Sequence, residues 1–376
     1  MKIVVSTGEI SGDLHGAALI STIKELFPQT TFIGMGSAKM RAAGADILFD
    51  MTPQGTIGLI EALPNIFKVY KMLTKMKKLL RKEKPDALLL IDTQGFNILL
   101  AEYAKKIGIK TIYYIPPQEW LWGTQRGIRK IAKTIDLIIS IFENENSIYL
   151  NAGGHLIYFG HPLLDIVKPL LSQEERQKRF NAGNKKLVCL CPGSRLQEIN
   201  KIFPVLLEAA KIIQGTFPDI SFIVPISSQW IKNNIEEKIN ESGMQINMVE
   251  GYQYDVISVS SLVIAASGTI NMEASILGTP NIMAYMVNPL TYWIGKYILR
   301  IDKKIKFFSM PNILLNYELV PEFVQSKARP DIIADKAIEI LKSQKRLDNK
   351  KLLQKLGNPP VLSKIAGKII DFINKN

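Results

Sequence analysis

Leu190-Cys191-Pro192-Gly193-Ser194-Arg195-Leu196-Gln197-Glu198 is the stretch whose reading decides the fold. It closes an apolar run, Leu187 to Leu190, that reads as a buried strand. It opens a helical pattern through Ile199, Phe203, Leu206, Leu207 and Ala210. A Pro-Gly-Ser-Arg turn between strand and helix leaves backbone N–H groups at the positive end of the helix dipole. Gly193 admits a close ligand, and the Arg195 guanidinium suits bidentate phosphate contact. An ordinary β–α turn with a solvated arginine has the same local sequence. Further along, Ala265-Ala266-Ser267-Gly268-Thr269-Ile270-Asn271-Met272-Glu273-Ala274 repeats the arrangement after an apolar strand, Leu262 to Ala265. Ser267 or Thr269 is suited to cap that helix, whose first amides offer a second anion-binding turn. Glu273 lies one turn in from Thr269 on the same face and suits both hydroxyls of a ribose. The alternative is a capping pair with an exposed first-turn glutamate. Two such turns with an acidic residue nearby favour a nucleotide diphosphate, held by Gly193, Ser194, Arg195, Ser267, Gly268, Thr269 and Glu273.

The same rhythm extends outward in both directions. Strands are expected at 3–6, 31–35, 87–91, 110–115, 136–141 and 156–159, with helices near 12–27, 57–83 and 97–107. After a polar, turn-rich stretch the pattern restarts, with strands near 187–191, 220–225, 246–249, 262–265 and 281–285. The expected class is α/β: two doubly wound parallel-sheet domains in tandem, with a cleft between the carboxyl ends of their sheets. The expected boundaries are 1–165 for the first domain, 166–186 for a linker, 187–345 for the second domain, and 346–376 for a helical tail.

Composition narrows the function classes. A 376-residue chain with 47% hydrophobic and 22% charged residues has the balance of a globular protein with two cores. The chain enters a strand at Ile3-Val4-Val5 with no leader pattern before it, and no apolar run is long enough to span a membrane. Cys189 and Cys191 alternate on one strand face and read as a buried pair of thiols. His15, His155 and His161 are dispersed, so no metal cluster and no cofactor is expected. The reading is cytoplasmic.

The outlier is a formal charge of +13. Lys68, Lys71, Lys75, Lys78 and Lys82 form one stripe of a helix, and Ile66, Tyr70, Leu73, Met76 and Leu80 form an adjacent apolar face. A solvated face is the plain reading; the other is an interfacial helix meeting anionic lipid, with Ile66, Tyr70, Leu73 and Met76 membrane-facing between Lys68, Lys71, Lys75 and Lys78. Residues Tyr292 to Lys306 could act likewise or form a subunit contact. Lipid is preferred to nucleic acid because no nucleic-acid motif accompanies the charge.

Three strand ends complete the constellation. Thr7-Gly8-Glu9-Ile10-Ser11-Gly12-Asp13 permits tight backbone approach, although its spacing is not a dinucleotide fingerprint. Asp92, at the carboxyl end of the strand 87–91, stands where catalytic groups sit in open α/β sheets; a capping or turn aspartate is the alternative. Ile115-Pro116-Pro117-Gln118-Glu119-Trp120-Leu121-Trp122 suggests a rigid cleft wall or sugar platform, or equally a hydrophobic plug.

Together these segments resemble the lipid-A-disaccharide synthases, a family of GT-B glycosyltransferases. The likeness is carried in order by Gly8 to Asp13, Ile91-Asp92 with Phe96-Asn97, Tyr114 to Trp122, Phe159-Gly160-His161-Pro162, Pro192 to Arg195, Ser267 to Thr269 with Glu273, and Ser309-Met310-Pro311-Asn312. The resemblance implies transfer of 2,3-diacylglucosamine from its UDP derivative to the 6-hydroxyl of 2,3-diacylglucosamine 1-phosphate, giving a β-1′,6-linked disaccharide and UDP. It further implies Asp92 as general base and Arg195 as diphosphate ligand. Gln118 and Asn312 are candidates for sugar or phosphate hydrogen bonds, and Glu9 and Ser11 for the acceptor side. Some relatives carry an aspartate at the position of Gly95, so Asp92 is the sole carboxylate of its loop here. The implied partners are the two lipid substrates and the anionic inner membrane leaflet; a homodimer is left open, as is return of the tail to the first domain or its exchange between subunits. Rival readings are another GT-B enzyme for a different UDP-sugar, or a non-catalytic lipid- or nucleotide-binding relative.

Overall fold

The computed structural model describes residues 1–376 apart from 51–65, 123, 181–185, 227–228, 267, 287–305 and 376. The chain divides into two compact units, one of residues 1–166 with 356–376 and one of residues 167–355.

In the first unit, β1 (Lys2–Ser6), β2 (Thr31–Met35), β3 (Asp46–Phe49), β4 (Ala87–Ile91), β5 (Lys110–Tyr114), β6 (Leu137–Ser140) and β7 (Leu156–Tyr158) form one sheet in the order β3-β2-β1-β4-β5-β6-β7. Every pairing is parallel, and Val4 of β1 stands between Ile33 of β2 and Leu88 of β4. The Ala-Leu-Leu-Leu-Ile of β4 is buried throughout, as a strand covered on both faces requires. The strand order reverses between β1 and β4, which makes their carboxyl ends the switch point where ligands bind in such sheets.

The lysine helix, Ile66–Glu83, revises an expectation. Its residues Leu73 and Met76, assigned above to a membrane, are buried with Leu80 in a core shared with Val4, Leu88, Leu90 and Leu100. Periodicity identifies residues that share a face; here the covering surface is the unit's own sheet. Phe67 and Tyr70 remain outside, 87% and 70% exposed, among the exposed Lys68, Lys71, Lys75 and Lys78. The Ile66 side chain, the expected helical turns before it, and Tyr292 to Asp302 with Lys303 and Lys304 lie outside the described residues.

The segment 356–376 belongs to the first unit. Its helix Leu362–Asn374 packs on the helix Ile10–Leu26 that follows β1. Asp165 Oδ2 accepts from the N–H groups of Val361 and Leu362 at 2.6 and 2.7 Å, and Lys110 Nζ donates to the carbonyl of Ile373 at 2.8 Å. A carboxylate thus sits at the helix N-terminus and an ammonium at its C-terminus, each favoured by the helix dipole.

The second unit repeats the plan. Strands β8 (Leu187–Cys191), β9 (Ser221–Ile226), β10 (Ile246–Glu250), β11 (Leu262–Ala265), β12 (Asn281–Tyr285) and β13 (Glu322–Val324) take the order β10-β9-β8-β11-β12-β13, all parallel, with the reversal between β8 and β11. Part of the stretch read as a linker is the helix Gln173–Phe180. Leu171 N–H donates to Asp255 Oδ1 at 2.8 Å and Arg176 Nη1 to Ser258 Oγ at 3.0 Å, which ties that stretch onto this unit. Cys189 and Cys191 are free, buried thiols with Sγ atoms 3.5 Å apart. Among the described residues, no helix is long and apolar enough to cross a membrane.

Candidate functional site: two switch points

At the switch point of the first sheet, Asp92 and Thr93 both adopt φ of +51°. Two successive non-glycine residues in the left-handed region cost about 1–3 kcal/mol each, and such strain collects at functional sites. The surroundings enforce it. The Asp92 carbonyl accepts from Asn97 Nδ2 at 2.7 Å and from the Tyr113 hydroxyl at 2.8 Å. Thr93 Oγ1 accepts from Gly8 N–H at 2.9 Å. Asn97 is fully buried, donating also to the Ser6 and Ile91 carbonyls and accepting from Ser6 Oγ. The turn after β4 is thereby bolted to the end of β1.

Ser11 lies in the first turn of Ile10–Leu26, and its Oγ donates to Asp92 Oδ2 at 3.3 Å. Gly12 is required beside it, since a Cβ there would stand 2.1 Å from Thr7 Oγ1 and 3.6 Å from Asp92 Cβ. Glu9 is the N-cap residue of that helix and is half-buried. Asp13 has a different task. It is buried and accepts from Ser37, Lys39 and Met40 N–H at 2.7, 3.0 and 3.3 Å, anchoring the next helix, while burial raises its carboxyl above the usual range.

The third strand end lies beside this one. Ile115, a β-branched residue with φ of +58°, follows β5 and leads into Pro116 and Pro117. Gln118 is half-buried there. Glu119 is buried, with Oε1 accepting from Gln94 Nε2 at 2.6 Å and Oε2 from Thr124 N–H at 3.1 Å. It therefore ties the Asp92 loop to the following helix. Gly95 faces open space, with nothing within 4 Å of an added Cβ. Trp120 packs on Phe142 with ring centroids 5.9 Å apart.

At the switch point of the second sheet, Gly193 has φ of +108°, and Arg195 is the N-cap residue of the helix Leu196–Thr216. Arg195 Nη1 donates to Glu198 Oε1 at 3.2 Å, and Ser194 N–H donates to Glu198 Oε2 at 3.4 Å. After β11, Gly268 with φ of +133° is the N-cap of Thr269–Ile276, and no side chain caps it. Thr269 is already the first helical residue, so of the two capping candidates named above it does not take that role; Ser267 lies outside the described residues. Glu273 is buried rather than solvated, and its Oε2 accepts from Gln253 Nε2 at 2.7 Å. Burial and the charge of Glu273 push the neighbouring Tyr254 phenol up.

Asn312 requires a correction. Its Nδ2 donates to the Val320 carbonyl and to Glu322 Oε1, both at 2.7 Å, and its Oδ1 accepts from Leu319 and Val320 N–H at 2.7 and 2.9 Å. An amide with both hydrogens and both lone pairs engaged, in a fully buried side chain, has nothing left for a sugar or phosphate. It is an architectural residue, organised with Ser309 around Glu322. Tyr113 and Gln253 are contributors that sequence reading missed, and Asn97 and Glu198, quoted there within motifs, were given no role of their own. Their types carry no signal by themselves, because each acts through a partner that only the fold supplies.

Comparison with known proteins bears on this arrangement. The family model described as lipid-A-disaccharide synthetase matches residues 3–359. The chain is 37% identical to a lipid-A-disaccharide synthase of Geobacter metallireducens over 334 residues, covering 89% of this chain and 86% of that one. It is 34% identical to a protein of the same name from Coxiella burnetii over 343 residues, covering 91% of this chain and 89% of that one. Among solved structures it is similar to the UDP-GlcNAc 2-epimerase of Neisseria meningitidis bound to UDP-GlcNAc, with a TM-score of 0.65, 13% identity and full coverage of both chains. A putative UDP-N-acetylglucosamine 2-epimerase from Listeria monocytogenes gives the same TM-score and identity over 98% of this chain and 94% of that one. At such identities the likeness shows the fold, and that fold is of the GT-B class.

Proposed function

The chain belongs to the lipid-A-disaccharide synthetase family; it is a hexosyltransferase that uses a UDP-sugar to build the lipid A disaccharide, and we propose how its residues divide that work. The donor is UDP-2,3-diacylglucosamine and the acceptor is 2,3-diacylglucosamine 1-phosphate. Asp92 takes the proton from the acceptor 6-hydroxyl as that oxygen bonds to the anomeric carbon. The bond from that carbon to the diphosphate breaks, its electron pair leaving with UDP. One base and no covalent sugar give inversion and a β-1′,6 linkage. Arg195 and the amides of the two helix N-termini meet the charge that grows on the leaving diphosphate, so the scheme needs no divalent cation. Glu273, supported by Gln253, receives the ribose, and Ser11 and Glu9 serve the acceptor side, with Gln118 a further sugar contact.

The observation that carries this reading is Asp92 itself. It stands where the resemblance puts a general base, in strained backbone at the carboxyl end of β4 with Ser11 on its carboxylate. Asp92→Ala is expected to lower turnover by about 10²–10⁴-fold, the range for losing a general base. Calorimetry should show UDP affinity close to that of the parent. Turnover within a few-fold of the parent would overturn the assignment.

The enzyme acts at the cytoplasmic side, docked on the anionic inner leaflet by Phe67 and Tyr70 amid the exposed lysines of Ile66–Glu83. Four acyl chains across the two substrates give it reason to sit at a lipid surface. Aromatic side chains ringed by cations suit that surface.

A further inference from the structure

Glu198 is a buried carboxylate inside the diphosphate turn, 7% exposed and one turn into the helix Leu196–Thr216. It engages the groups a phosphate would use: Oε2 accepts from Ser194 N–H at 3.4 Å and Oε1 from Arg195 Nη1 at 3.2 Å. The turn is shaped around it. A Cβ on Gly193 would stand 2.6 Å from Glu198 Oε2 and 3.1 Å from Glu198 Cβ, so the turn packs closely on this side chain, while the positive φ of Gly193 is what favours glycine there.

We infer that Glu198 is an internal stand-in for phosphate, holding Ser194 N–H and Arg195 in binding shape and competing with the diphosphate of UDP for them, so that the departing product is held less tightly. This rests on the reading of Arg195 as the diphosphate ligand. The physical reason is simple. Two anions sharing one guanidinium away from water repel each other strongly, and UDP binds against that repulsion. A positioning carboxylate of this kind keeps the turn ordered without a ligand and eases release after transfer.

The charged and titratable groups facing Glu198 among the described residues are Arg195 and Tyr285, the last residue of β12. Arg195 stays protonated at any working pH. The Tyr285 phenol is pushed up to about 12 by burial and by the charge of Glu198, and so stays neutral. Burial raises the Glu198 carboxyl although Arg195 and the turn amides pull it down. An arriving diphosphate pushes it further in the same direction, so acid conditions relieve the repulsion by protonating Glu198.

The test is calorimetric titration of UDP into the parent enzyme, Glu198→Gln and Arg195→Ala, at pH about 8 and about 5.5. Glutamine keeps the shape and the acceptor oxygen but removes the charge. Glu198→Gln should bind UDP about tenfold more tightly at the higher pH, with the gap closing at the lower. Equal or weaker binding by Glu198→Gln at the higher pH, with Arg195→Ala still weakening UDP, overturns the role of Glu198 alone. If Arg195→Ala leaves UDP affinity unchanged, the diphosphate reading itself falls, and this inference with it. Glu198→Ser serves the same arm should the glutamine variant fail to fold.

Discussion

Asn97 shows how little of a site's mechanics a residue type reveals. Its amide joins Ser6 to the carbonyls of Ile91 and Asp92, across 91 positions of sequence in the first case. Asn97→Leu would leave those buried groups unpaired, and a loss of about 2–4 kcal/mol of stability is expected from the broken network. If Asn97 positions Asp92, kcat should fall more than KM rises, and Asn97→Asp, which keeps the acceptor for Ser6 Oγ but sets an oxygen against the three carbonyls, should recover neither stability nor kcat. Denaturant melts with steady-state kinetics separate the two effects. Asp92 and Arg195 were singled out by their strand-end positions together with the family resemblance, because a turn aspartate or a solvated arginine has the same local sequence. Asn312 was misread because an amide in a motif looks like a ligand donor until its four partners are seen.

At the scale of elements, the apolar runs announced most of the strands because parallel strands covered on both faces are continuously hydrophobic. The edge strands β3, Asp-Ile-Leu-Phe, and β13, Glu-Phe-Val, escaped notice: they are short and carry charge. The lysine helix Ile66–Glu83 was legible as amphipathic, but its periodicity could not say what covers the apolar side. With Leu73 and Met76 inside, the outward apolar contribution falls to Phe67 and Tyr70. Replacing both with serine should reduce partition onto anionic vesicles by roughly tenfold or more, since a buried aromatic is worth about 1.5–3 kcal/mol. Reversing Lys71 and Lys75 to glutamate should remove the salt dependence of what remains. Flotation at several ionic strengths reads both effects. The core should be untouched, because Phe67, Tyr70, Lys71 and Lys75 all face outward.

Across the whole molecule, the first unit carries buried titratable groups that bracket its stability in pH. His15 is 3% exposed and burial lowers its pKa from 6.5 to about 4, so the unfolded chain takes up that proton first. Its contribution is complete above 6.5 and is lost as pH falls from there through about 4, amounting to roughly 3 kcal/mol. Glu145 is fully buried and pushed up from 4.5 to about 8. Its contribution is complete below 4.5 and is lost as pH rises through about 8. Thermal melts should therefore fall off on both sides of a mildly acidic maximum, and Glu145→Gln should flatten the alkaline limb. Neither group was legible as such: three dispersed histidines and a glutamate in a polar run give no sign of being enclosed, and enclosure depends on how separate segments close over them. The two-unit plan was legible from the restart of the strand rhythm; return of the tail to the first domain was one of two outcomes left open, since a helical tail has no address in its own sequence, and residues 346–355 stay with the second unit. The return of residues 356–376 has a consequence for biosynthesis. Residues 167–355 are contiguous and leave the ribosome as a complete unit, whereas the first unit waits for Leu362–Asn374 to cover Ile10–Leu26. The earliest-made unit is therefore completed only after the second has been made, its apolar flank left open until Leu362–Asn374 emerges.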